Sequence, residues 1–129
     1  TTIEFAKVCR DRGIKVIVLT NVEYSKYLDA LHHSKTKLMD HADVLIDNCS
    51  VIGDALVEID NFPIKVGPGS TVPFVGIINA LMAETVEILV DRGVTPDVYY
   101  NGNLAANDDS VQDHNNEIID KYFYRIRDL

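Results

Sequence analysis

Helical spacing is the first pattern along the chain. Ile3, Ala6, Val8 and Cys9 are apolar, Lys7, Arg10, Asp11 and Arg12 are polar, and Gly13 follows as a stop. Ile14-Lys15-Val16-Ile17-Val18-Leu19 is a near-continuous β-branched run, the composition of a parallel strand covered on both faces. Thr20-Asn21 closes it, and a second helical pattern covers residues 23–31. Residues 32–36 break periodicity as a loop, a short helix runs through Met39, and Asp43-Val44-Leu45-Ile46-Asp47 predicts a second buried strand. Helix, strand, helix, strand in that order points to βαβ crossovers in a parallel sheet. Short β-like segments at 54–60 and 64–66 flank Asn61-Phe62-Pro63 and predict a small hairpin. The longest helix is expected over residues 70–91, with Pro73 in its first turn and Gly93 after its end. Its first half is apolar nearly all round (Val72, Phe74, Val75, Ile77, Ile78, Leu81), so burial on more than one side is expected, the second by another subunit. Asp97-Val98-Tyr99-Tyr100 predicts a last strand, and a polar loop leads to a terminal helix through Arg127. There is no repeat and no linker, so residues 1–129 read as part of a single α/β domain.

A doubly wound domain ordinarily begins with a strand, and its ligands sit beyond the carboxyl ends of its first strands. Here the chain begins inside a helix and offers three strands for the main sheet, so a preceding segment is expected. The remaining composition mostly excludes partners. A formal charge of −8 without a Lys/Arg cluster disfavours nucleic acid and anionic membrane surfaces. No uninterrupted apolar run approaches the roughly 18 residues of a membrane span, and residues 1–4 do not resemble a signal peptide. A cytoplasmic location is expected, with Cys9 and Cys49 reduced because their spacing matches no metal or redox motif.

Candidate chemistry is sparse. Gly67-Pro68-Gly69-Ser70-Thr71 opens the apolar helix, and two readings stand: an anion site at the helix N-terminus, or an ordinary turn with a serine cap. It is neither a phosphate-binding Gly-Lys-Ser/Thr loop nor a dinucleotide fingerprint. His32, His33, Ser34, Lys35 and Lys37 form the one local cluster of titratable and cationic groups, near the carboxyl edge of a strand. Adjacent histidines point in different directions on a helix or strand, so no metal is expected there. His114 is a natural proton carrier at the start of the terminal helix, or a plain surface residue. No nucleophile elbow is present.

A series of motifs nevertheless resembles a known group. It comprises Val18-Leu19-Thr20-Asn21-Val22-Glu23-Tyr24-Ser25-Lys26, the His32-x-Ser34 loop, Ala42-Asp43-Val44-Leu45-Ile46-Asp47-Asn48, Gly53-Asp54-Ala55, Lys65-Val66-Gly67-Pro68-Gly69-Ser70-Thr71, Asn79-Ala80, Gly102-Asn103-Leu104 and His114-Asn115. Together they resemble the C-terminal half of bacterial SIS (sugar isomerase) domain proteins of the phosphoheptose isomerase-like type. The helix start at Gly69-Ser70-Thr71 is also similar to one in N-acetylmuramic acid 6-phosphate etherases. The resemblance implies a flavodoxin-like, three-layer parallel sheet, here lacking its N-terminal part and carrying a small β-hairpin insertion. It implies a dimer or tetramer associating through the 70–91 helix, and a sugar phosphate bound without a further cofactor. By the same resemblance, Thr20, Asn21, His32, Ser34, Ser70 and Thr71 line the ligand, and His114 is the one available acid/base. The expected activity is aldose/ketose isomerisation in the longer protein, with the chain alone inactive. The alternative is a non-catalytic sugar-phosphate sensor. The sequence departs from the group at His33, Lys35 and Thr36, and in the loop before His114.

Overall fold

The computed structural model describes residues 1–105 and 108–126, so Arg127, the expected end of the last helix, lies outside the described residues. Two compact units are present, residues 1–82 and residues 83 onward.

In the first unit, helix α1 (Thr2–Asp11) starts where the Thr1 hydroxyl accepts the Glu4 N–H at 3.3 Å. It ends in a closed two-bond cap: Ile14 N–H donates to Cys9 O and Gly13 N–H to Arg10 O. That cap needs a left-handed residue, and Gly13 supplies it at φ +73°. Strand β1 (Ile17–Thr20) follows, then helix α2 (Val22–Tyr27), a 3-10 turn (Leu38–His41) and strand β2 (Val44–Asp47). The two strands pair in parallel, Ile17 opposite Val44 through Thr20 opposite Asp47. Their carboxyl ends therefore lie side by side. Asp43 secures the other end, its carboxylate accepting from Val16 N–H at 2.9 Å and Lys15 Nζ at 3.0 Å. Strands β3 (Ala55–Val57) and β4 (Val66–Pro68) form the predicted antiparallel hairpin. Helix α3 (Thr71–Asp91) then runs from the first unit into the second and ends in a second cap of the same kind at Gly93.

The expected three-layer, flavodoxin-like parallel sheet is not what the chain forms. The parallel sheet has two strands, the other sheet is the hairpin, and helix dominates the described residues. The clearest correction concerns residues 97–100, which join no ladder. A backbone segment must satisfy its polar groups somewhere. Here the second unit does so with side chains of helix α5 (Asp109–Ile126). The Asn115 amide accepts from Tyr100 N–H at 2.9 Å and donates to Tyr100 O at 3.1 Å, and His114 Nε2 lies 3.0 Å from Val98 O. Asp97 meets Lys121 Nζ at 2.7 Å and the Tyr122 hydroxyl at 2.5 Å. A short helix α4 (Gly102–Ala105) completes this unit.

Among the described residues the buried apolar side chains are few: Ala6 and Val18 in the first unit, Val111 and Ile118 in the second. The accessible surface is 10149 Å² for a 14.4 kDa chain. A single compact domain of that mass exposes about 6,800 Å², and two separate compact bodies roughly 8,000 Å². The strands were expected to be covered on both faces, but Ile17, Val44 and Leu45 are exposed. Beside them an open apolar hollow of about 830 Å³ is lined by Phe5, Ala6, Cys9, Ile14 and Val16 to Leu19. Helix α3 has no buried residue, with Val72, Val75, Ile78 and Met82 all open. By length and composition this helix is long and apolar enough to cross a membrane, although Asn79, Glu84 and Glu87 interrupt it.

Candidate functional site

The site is built where β1 and β2 end. β1 hands over to α2 at Asn21, whose side chain is nearly fully buried, caps the helix by accepting from Tyr24 N–H at 2.8 Å and donates to Val51 O at 3.1 Å. Beside it, Asp47 Oδ1 accepts from Val22 N–H at 3.1 Å and Cys49 N–H at 3.0 Å. Those two backbone donors hold the Asp47 carboxyl below its usual range. The Thr20 and Ser25 hydroxyls stand 3.2 Å apart. Lys37 Nζ donates to the carbonyls of Ser25 at 2.6 Å and Lys26 at 3.1 Å, neutralising the carboxyl end of α2. A cavity of about 250 Å³ opens here, lined by Ser25, Leu28, Leu31, His32, Thr36 and Lys37 among others.

From this cavity a chain of polar side chains runs through the 32–41 segment. His32 Nδ1 lies 2.7 Å from Ser34 Oγ, which lies 2.6 Å from Thr36 Oγ1, which lies 2.8 Å from His41 Nε2. The turn that permits it places Lys35 at φ +58°, closed by the Lys35 N–H to His32 O bond at 2.9 Å. The His32 side chain is 8% exposed, and its other nitrogen faces Glu4 Oε1 at 2.8 Å. The neighbouring His33 brings its Nε2 to 3.7 Å from the same oxygen, and the two rings lie 4.1 Å apart between centroids. Lys7 Nζ is 3.6 Å away from that oxygen. Partial burial pushes the Glu4 carboxyl up, but Lys7, His32 and His33 outweigh it and leave it below its ordinary value.

The structure thus brings Thr20, Asn21, His32 and Ser34 together in one unit. Ser70 and Thr71 belong to the same unit but stand at the start of α3, where the Asp54 carboxylate accepts the Ser70 N–H at 2.9 Å. One backbone N–H at that helix start is therefore already bonded to a carboxylate. His114 lies in the second unit, with its ring 4.7 Å from that of Tyr100 and its Nε2 on Val98 O. Sequence reasoning missed Glu4. An acidic residue in a first helical turn is ordinary, and its partners lie 28 and 29 positions on, so no local spacing announces it. It also separated His32 from His33, because it reasoned from regular helix or strand directions, and the residues sit in a turn. Cys9 and Cys49 are free thiols.

No family model matches the chain. Its similarity is to bacterial proteins called UPF0309. A UPF0309 protein of Listeria innocua is 37% identical over 124 residues, covering 96% of this chain and 49% of the relative. One from Geobacillus is 36% identical over the same length, and one from Thermoanaerobacter pseudethanolicus is 36% identical over 129 residues, 98% of this chain and 51% of the relative. The chain spans about half the length of the curated relatives it matches. Over nearly all of its own length, then, it is similar to part of a bacterial UPF0309 protein.

Proposed function

We propose that the first unit contributes a sugar-phosphate-binding site, centred on the cavity between α2 and the 32–41 segment, to an SIS-type protein. One observation carries the reading. Ser25, His32, Thr36 and Lys37 line one cavity beside the helix that leaves the carboxyl end of a parallel strand, and Thr20 and Ser34 hydrogen-bond to that lining. Strand ends of this kind are where α/β proteins collect ligands. A polyhydroxylated ligand matches hydroxyls and imidazole nitrogens, which donate and accept in either sense. Lys37 brings a positive charge to the lining of this cavity while donating to the carbonyls of Ser25 and Lys26, and an ammonium has three N–H donors. The residue resemblance to SIS-type proteins supports the same ligand class, and aldose/ketose isomerisation is the activity it favours for the longer protein. A sugar-phosphate sensor is the second reading, favoured by the engagement of His114 Nε2 with the Val98 carbonyl rather than with an open site.

Calorimetric titration with hexose and heptose phosphates, inorganic phosphate and free sugars tests the reading. The expected result is saturable binding of a phosphorylated sugar, weakened at least tenfold by Ser34→Ala or Lys37→Met. Equal affinity for inorganic phosphate alone, or binding indifferent to both substitutions, overturns it. Turnover of the bound ketose or aldose separates the isomerase from the sensor.

A further inference from the structure

We infer that His41, Thr36, Ser34 and His32 form a polarised proton relay that runs from the 3-10 turn to the side of the Glu4 carboxylate. Its polarity follows from one fixed donor. A backbone N–H can only donate, and that of Ser34 donates to His32 Nδ1 at 3.3 Å. His32 Nδ1 is therefore a bare acceptor, and the ring proton sits on Nε2, which faces Glu4. The Ser34 hydroxyl, 2.7 Å from Nδ1, then also donates to it. A hydroxyl has a single proton. Ser34 has committed its own, so Thr36 donates to Ser34 Oγ across 2.6 Å, and His41 Nε2–H donates to Thr36 Oγ1 across 2.8 Å. One amide thus orders three side-chain hydrogen bonds and places a proton on Nε2 of both histidines.

Two observations make the chain a route for protons and not only a brace. The His32 side chain is 8% exposed, with Ser34 on one ring nitrogen and Glu4 against the other, so the hydroxyl chain is its path to a proton. On the far side, Glu4 Oε1 is buried and accepts no hydrogen bond, and a second proton on His32 turns the 2.8 Å approach of Nε2 into a charge pair. The transfer conserves atoms. Solvent protonates His41 at Nδ1, the Nε2 proton of His41 passes to Thr36, that of Thr36 to Ser34, and that of Ser34 to His32 Nδ1. His41 is left neutral with its proton on Nδ1, and His32 becomes an imidazolium beside Glu4. The Ser34 N–H then opposes the new Nδ1–H, which favours return to the starting polarity. The charged and titratable groups around the relay are Glu4 and Lys7 on α1, His33 beside His32, and Asp29 and Lys37 along the cavity. Asp40, next to His41, accepts from Lys37 N–H at 2.8 Å, and β1, which packs on the same turn, has no titratable residue. His32 and Thr36 line the cavity beside α2, so the relay ends at the wall of the proposed ligand site. That use of it rests on the sugar-phosphate reading, and the relay itself does not.

Long-range ¹H–¹⁵N correlation spectra of the intact chain read the tautomers. At mildly alkaline pH both His32 and His41 are expected with a protonated Nε2 and a bare Nδ1. Thr36→Val cuts the chain while keeping the side-chain shape. It is expected to let His41 populate both tautomers and to slow proton exchange at His32, read from line broadening through its titration, roughly tenfold or more. Thr36→Ser is expected to restore both, and His114→Ala to change neither. A proton on His32 Nδ1 in the alkaline spectrum overturns the relay, as do wild-type tautomers and exchange in Thr36→Val. A failed sugar-phosphate titration leaves the relay standing and overturns its use at the cavity.

Discussion

The Asn21 side chain caps α2 and tethers the 48–52 segment through Val51 while almost fully buried. Alanine at this position removes the cap acceptor and the donor to a carbonyl at once. Asn21→Ala is expected to lower unfolding free energy by about 1–2 kcal/mol, read as a shift of the urea midpoint with unchanged slope. An unchanged midpoint would show that the cap is dispensable. The capping role of such a residue is legible in sequence, since an Asn between a strand run and a helical pattern is a helix-start signal. The trio of Glu4, His32 and His33 is not legible in the same way. It depends on α1 lying beside a turn some thirty positions later, and on a left-handed Lys35 that no composition rule predicts.

At the scale of elements, α1, the two parallel strands, the hairpin and α3 follow from the apolar spacing and from glycines placed after helices. Residues 97–100 do not. Val98, Tyr99 and Tyr100 have strand composition, but a strand exists only with a neighbour, and composition does not say whether one is present. Side chains of α5 take the place of that neighbour, and Asp97 anchors the end. Hydrogen bonds from Lys121 and Tyr122 hold the Asp97 carboxyl below its usual range, and the same contact raises Lys121. A carboxyl depressed by folding stabilises above its unfolded pKa, and that contribution is lost as pH falls through the folded one. A lysine raised by folding stabilises below its unfolded pKa, and that contribution is lost as pH rises through the folded value. The second unit is therefore expected to lose stability at both the acid and the alkaline end. Melting temperatures across pH should show both slopes, and Asp97→Asn should flatten them. Slopes retained in full by Asp97→Asn would assign them to other groups.

At the scale of the whole molecule, the excess of exposed surface is the dominant physical fact. Phe5, Ile17, Val72 and Met82 stand 73%, 64%, 79% and 61% open, and both edges of the parallel pair lack a neighbour among the described residues. Apolar surface and unpaired strand edges of this kind drive association. This chain spans about half the length of the relatives it matches. For the chain by itself, sedimentation at increasing concentration is expected to show dimers or larger species, reduced by Val75→Lys with Met82→Lys. A monomer at every concentration would contradict this. The claim on which the functional reading turns is that a phosphorylated sugar binds at the end of the parallel pair, and hydrogen–deuterium exchange of the intact chain with and without a hexose or heptose phosphate tests it most directly. Slowed exchange confined to residues 20–25 and 32–41 is the predicted result; no protection with any such ligand, or protection only around residues 70–71 or 114, would contradict it.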